Sequence, residues 1–377
     1  MQVEKKIILL TSGIIIFTVG LSIFLSRFTI DSDFPVFYCA ARTILDPSAP
    51  KISVYDIEHL GEYSIPENIR NGAFIYSMPA AYIFSPIALM PYYSAKALII
   101  FFSITGYIIA IILVLRTNQA TDRWFVYPLA ASCLWLPFIQ TMRAGQVDGI
   151  IIFLLSIAVF FATKNHPTFC GIFLSFAAFF KLFPIAIAMV LGLKNWRILT
   201  AFSMTFVASF LIPGSLEWFP AIGNIYKGGY TPIFLYLKNY SIVWFGMYAA
   251  TVAGLTALIA FRSEGVDYHA LVSFSIPGVL LTMPIVEYYH LTLLMYSYVF
   301  LLVSHRNNNR FLMLLTFFSF LTINAAFFFS PASAYFVKKP FFSKSLVMVG
   351  LCLIWFAYAK MLSTKQRKFQ AGKVAQA

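Results

Sequence analysis

Long apolar runs separated by short polar intervals mark this chain from one end to the other. Runs of roughly 18 or more mostly apolar residues have the length of membrane-spanning helices. They predict spans at 7–27, 93–115, 124–141, 147–163, 198–213, 241–261, 270–286, 290–304, 311–329 and 343–361. Two further apolar segments do not read as plain spans. Residues 74–91, "FIYSMPAAYIFSPIALMP", carry three prolines, which break a helix or confine it to short pieces. Residues 168–193 are interrupted at "KLFP", with Lys164 before them and Lys194 and Arg197 after. One crossing would place a basic flank on each side. A re-entrant pair of half-helices with Lys181 at its tip keeps both flanks on the cytoplasmic side. Ten spans and two broken segments put both termini in the cytoplasm.

Composition agrees with a membrane solvent. Of 377 residues, 60% are hydrophobic and only 11% charged, where a soluble domain carries about 25%. The net charge of +13 is read as Lys and Arg gathered in cytoplasmic loops, not as a nucleic-acid surface. Cys39, Cys133, Cys170 and Cys352 form no CxxC and no metal spacing, so neither a disulfide nor zinc is indicated. Lys5 and Lys6 precede a run too long for a signal peptide, which predicts an uncleaved first helix. The basic tail "KQRKFQAGK" suits anionic lipid headgroups.

Polar groups on this background are candidates for chemistry, because a charge within hydrocarbon costs about 2.5–3.5 kcal/mol. In "DSDFPVFYCAARTIL", Asp33 stands where a helix starting at Phe34–Pro35 would be capped. Phe34, Phe37, Tyr38, Ala41 and Leu45 fall on one face, predicting an amphipathic helix in the outer interface that ends at Asp46–Pro47. The plainer reading makes Asp33 a helix cap and Asp31 a solvated loop acid, and spacing alone does not choose between the two acids. "MRAGQVDGIIIFLL" holds Arg143, Gln146 and Asp148 between two spans, with Gly145 and Gly149 allowing a tight turn. An Arg143–Asp148 salt bridge would close that loop. Lys181 at the helix break needs an anion, either a protein carboxylate or a ligand phosphate, unless it snorkels to the interface. "MPIVEYYH" sets Glu287 and His290 at a helix junction, where His290 serves as an acid–base group, an anion holder or a structural histidine.

Taken together and in this order, these segments resemble glycosyltransferase family 87, polytopic bacterial transferases of GT-C type. Asp33, Val36, Phe37, Tyr38, Ala40, Ala41 and Arg42 carry its D-x-x-V-[FY]-Y-x-A-[AG]-R pattern, and Val54–Asp56 a short motif farther along the loop. Phe74 and Tyr76 are similar to its F-x-Y-P-P segment, with Ser77 and Met78 where prolines are expected. "GQVDG" is similar to its GQ turn, "KLFP" to its K-x-x-P break and "MPIVEYYH" to its late histidine region. The similarity runs from about Ile7 to Met361.

The resemblance implies an all-α polytopic transmembrane bundle of about 10–12 membrane segments, with an extracytoplasmic interfacial helix after the first span. One domain would cover 1–361, including the extracytoplasmic loop 28–73, and a basic cytoplasmic tail would follow over 362–377. It implies a hexosyltransferase of the bacterial plasma membrane, with its active site on the extracytoplasmic face. That enzyme would move a sugar, mannose by family default, from a polyprenyl-phosphate donor to a cell-envelope glycolipid or glycan, with inversion. Asp33 would be the general base, favoured over Asp31 by the motif. His290, Lys181 and then Arg143 would steady the departing phosphate. Asp31, Tyr38, Arg42, Tyr76, Gln146, Asp148 and Glu287 would complete the substrate site. No metal, other cofactor or nucleic acid is implied. The alternatives are a secondary transporter or lipid-linked-glycan flippase, which usually pairs charges near the bilayer midplane, and a non-catalytic scaffold for envelope assembly.

Overall fold

A computed structural model describes residues 16–27, 33–46, 53–55, 74–120, 122–225, 242–263, 267–283, 288–304, 310–328 and 341–376. Asp31, Asp56 and Glu287 lie outside these residues. Every regular element among them is helical. The chain runs through α1 (Ile16–Ser26), α2 (Phe34–Leu45), α3 (Met78–Ala88), α4 (Tyr92–Thr117), α5 (Asp122–Cys133) and α6 (Leu136–Ala144). It continues as α7 (Asp148–Thr163), α8 (Pro167–Phe180), α9 (Phe183–Gly192), α10 (Trp196–Ala208) and α11 (Trp218–Ile225). The last elements are α12 (Ile242–Arg262), α13 (Tyr268–Thr282), α14 (Leu294–Ser304), α15 (Arg310–Phe328) and α16 (Phe341–Gln376).

Fewer of these helices are long spans than the hydropathy pattern predicts. Three described helices are long and apolar enough to cross a membrane, in α4, α12 and α16. The number reaches five if two bent pairs, α5 with α6 at 48° and α10 with α11 at 106°, each count as one span. Most of the remaining apolar helices have 10–17 residues. Prolines and glycines account for the breaks. Pro137 lacks the N–H that would continue α5 and sits instead in the first turn of α6. At the end of α10 the chain turns through Pro213 and Gly214, the latter in the left-handed region at φ 82°.

The segment 168–193 forms a helical hairpin. Gly171 of α8 lies against Ile198 and Ser175 bonds the Phe202 carbonyl, while Phe179 stacks on Phe206, so α8 and α10 run in the same direction. Gly192, at the end of α9, lies against Leu199 near the start of α10. Helix α9 therefore returns toward the end where α8 began, leaving Lys181 at the tip. At 1.5 Å rise per residue, the 14 residues of α8 and 10 of α9 reach ~21 and ~15 Å, short of a ~30 Å hydrocarbon core. At the other end Lys194 Nζ donates to the carbonyls of Phe261 and Ser263, each at 3.0 Å, tying this corner to the end of α12.

One expectation changes. Helix α2 does not keep one face open. Phe34 through Ala41 are all buried, with α2 packed on α3 and α4. Its sequence explains this, since Val36, Cys39 and Ala40 make the supposed outer face apolar too, and a helix apolar all round is enclosed. The basic stretch expected as a tail lies on α16, which continues in one helix to Gln376.

Candidate active site

The loop after α6 sets the geometry. Gly145 ends that helix in the left-handed region at φ 65°, a conformation glycine adopts without a Cβ penalty. A Cβ there would also lie 2.7 Å from Phe34 Cβ, so the turn touches the start of α2. Gln146 follows, fully buried: its carbonyl accepts from Ser103 Oγ at 3.1 Å and its Nε2 donates to Tyr76 Oη at 3.4 Å. Asp148 opens α7. Gly149 lets α4 and α7 close, because a Cβ on it would overlap the Ser103 carbonyl.

Asp148 is fully buried and takes Lys181 as its partner. Lys181 Nζ donates to both carboxylate oxygens, at 2.9 and 2.8 Å. The hairpin between α8 and α9 creates this pair: Lys181 is extended, at φ −154° and ψ 144°, and ends α8 beside the first residue of α7. The expected Arg143–Asp148 bridge is not formed. Arg143 is half-buried and donates to Gln140 Oε1 at 3.4 Å. Of the two anions open to Lys181 in the sequence, the structure supplies the protein carboxylate.

Asp33 occupies the N-cap position of α2, and its carbonyl accepts from the Val36 N–H at 3.1 Å, but its carboxylate does not cap the helix. It is half-buried. Tyr76 sits beside this corner with its ring 4.2 Å from that of Phe37. The next residue, Ser77, donates through Oγ to the Phe179 carbonyl at 2.7 Å, joining α3 to the tip of the hairpin. His290 is buried in a 3₁₀ turn, Tyr288–Leu293, that packs on α6 and α7. Trp135 Nε1 donates to the Leu291 carbonyl at 3.1 Å, and the hydroxyls of Thr292 and Thr141 are 2.8 Å apart. Five segments distant in sequence thus meet at one end of the bundle.

Residues 74–227 match the model of glycosyltransferase family 87. The match supports membership of that family. Family 87 indicates a glycosyltransferase, and the apolar helices indicate membrane association. No curated protein and no solved structure matches the chain. Tyr76, Arg143, Gln146, Asp148 and Lys181 fall within the family 87 segment, whereas Asp33, Tyr38, Arg42 and His290 lie outside it.

Tyr38 and Arg42 are drawn away from this centre. Tyr38 Oη donates to the Met90 carbonyl at 2.9 Å and accepts from Arg42 Nη2 at 3.0 Å. They fasten α2 to the α3–α4 corner, with Arg42 ~13 Å along the helix from Asp33. Above Tyr76, the 53–55 segment is held where Ser53 donates to Glu217 and Tyr55 Oη to the Tyr76 carbonyl at 3.1 Å. Burial and the nearby Glu217 carboxylate push the Tyr55 phenol up, so it remains a donor. Among the described residues, no group of three or more His, Cys, Asp or Glu is arranged to hold a metal ion.

Sequence reasoning missed Lys96. This residue is 0% exposed, and its Cε lies 3.6 Å from the point a Gly145 Cβ would occupy. It stands in the opening turns of α4, inside an apolar run that reads as plain membrane span. A signal was present, since a lysine inside such a run is rarely idle.

Proposed function

We propose that the protein transfers a sugar from a polyprenyl-phosphate donor to a hydroxyl of a cell-envelope glycolipid or glycan, at the extracytoplasmic face of the bacterial plasma membrane. Asp33 takes the proton from the acceptor hydroxyl as its oxygen attacks the anomeric carbon. The bond from that carbon to the phosphate oxygen breaks, the configuration inverts, and polyprenyl phosphate leaves. A positioned base contributes roughly 10²–10⁴-fold. His290 and Arg143 steady the charge that develops on the leaving phosphate. Lys181 is not assigned to it, because its charge is already taken by both oxygens of Asp148. The Lys181–Asp148 pair instead shapes the floor of the site. Mannose is the first donor sugar to test.

One observation carries the reading: the start of α2, directly after Asp33, abuts the GQ turn of the family 87 segment through Phe34 against Gly145. The test gives membranes containing the protein radiolabelled mannosyl and pentosyl phosphopolyprenols and looks for labelled lipid or glycan. Asp33→Asn is expected to abolish transfer with an unchanged amount of protein in the membrane. The buried ion pair is also a feature of transporters. Labelled lipid crossing the vesicle bilayer without transfer to an acceptor would favour a flippase and overturn the proposal.

A further inference from the structure

Helix α6 is held at its start, middle and end. The Leu136 N–H donates to Asn324 Oδ1 at 3.1 Å, satisfying one of the donors that a first helical turn leaves free. Phe138 stacks on Tyr107 of α4, with ring centroids 3.7 Å apart, and Gly145 turns against Phe34. The 3₁₀ turn that carries His290 hangs on this helix at two points, both next to the histidine in sequence. Trp135 Nε1, at the N-cap of α6, donates to the Leu291 carbonyl at 3.1 Å, and the Thr141 and Thr292 hydroxyls are 2.8 Å apart. Thr141 gives its one hydroxyl proton to the Pro137 carbonyl at 2.9 Å, so Thr292 is the donor to Thr141 Oγ1.

Both contacts to the turn are shut off from water. Trp135, Thr141 and Thr292 are each 0% exposed, and the indole lies between Phe320, stacked at 5.1 Å, and Tyr298, edge-on at 5.4 Å. Losing either partner of a hydrogen bond in such surroundings strands a polar group that water does not reach. The two bonds fix the backbone that directly follows His290, and the helix they lead to carries Arg143 two positions after Thr141. We propose that the Thr141–Thr292 hydroxyl pair, backed by Trp135, positions His290 against Arg143 at the leaving phosphate. The inference rests on His290 as a group that steadies that phosphate. Thr141, Thr292 and Trp135 are positioning residues, acting through the histidine.

The experiment measures transfer kinetics in membranes containing the full chain, with whichever radiolabelled mannosyl or pentosyl phosphopolyprenol the wild type uses. Thr292→Val, Thr292→Ser and Trp135→Phe are each made in the wild type and again beside His290→Gln, with rates normalised to folded protein. His290→Gln removes a group that acts on developing charge and is expected to lower kcat by about 10²–10³-fold. Thr292→Val keeps the side-chain shape without the hydroxyl. It is expected to lower kcat by roughly 10-fold, up to the ~10² that a small misplacement costs, with donor KM changed little. Thr292→Ser restores the hydroxyl and is expected to recover most of kcat. Beside His290→Gln, Thr292→Val is expected to have little further effect, because residues that act as a unit are not additive. Wild-type kcat in Thr292→Val, an equal fold-loss in both backgrounds, or a loss that Thr292→Ser shares in full would reduce the pair to packing and overturn the proposal. If Thr292→Val does not accumulate, Trp135→Phe, which keeps the aromatic stack and drops the indole N–H, decides by the same two-background comparison. Full activity in His290→Gln would remove the role of the histidine itself, which separates the two failures.

Discussion

Breaking the Asp148–Lys181 pair should cost more stability than activity. The two side chains are 0% and 6% exposed, and the ammonium is bound almost symmetrically, at 2.9 and 2.8 Å. Removing one partner of such a pair strands the other charge in the interior, which costs about 3–5 kcal/mol, whereas removing both is often close to neutral. Lys181→Met and Asp148→Asn are therefore each expected to lose about 3–5 kcal/mol. The double variant should lose much less than the sum of the two. Thermal unfolding of the detergent-solubilised protein, read by size-exclusion fluorescence, measures all three against wild type. Residual transfer activity is normalised to folded protein, and donor KM is expected to change little. Strict additivity would show that the two charges are energetically independent. Unchanged stability in Lys181→Met with a large rise in donor KM would show the lysine gripping substrate phosphate instead.

Two other substitutions probe neighbouring contacts. Gly145→Ala forces a side chain into the left-handed region, about 1–2 kcal/mol by itself, and drives its methyl toward Phe34. Stability should fall by more than that, and kcat should fall further because Asp33 adjoins Phe34; wild-type values of both would refute the contact. Tyr38→Phe removes the hydroxyl shared by Met90 and Arg42, costing about 1 kcal/mol in unfolding with kcat nearly unchanged. A specific rise in donor KM for that variant would return Tyr38 to the substrate site.

What the sequence made legible was local. A glycine before a buried glutamine predicts a tight turn, and proline after lysine predicts a helix break; α6–α7 and the α8–α9 hairpin follow. Partners were the illegible part, because pairing is a property of the fold. Lys181 was legible as a lysine needing an anion, but only the return of α9 toward α8's first turn aims its ammonium at Asp148, 33 positions earlier. Once that pair exists, the apparent surplus of cations in this region shrinks, and Arg143 ceases to be the natural mate of Asp148.

The buried state of α2 has a larger consequence for the proposed chemistry. An acid on a surface helix keeps its water, and its charge is screened. Asp33 instead opens a helix enclosed by α3 and α4, with Phe34 at 1% exposure directly after it. Each charge brought near it there acts more strongly than it would in water, in proportion to the lower effective dielectric. Hydropathy, which averages Lys96 into the apolar run around it, does not register that this lysine is wholly buried beside Gly145.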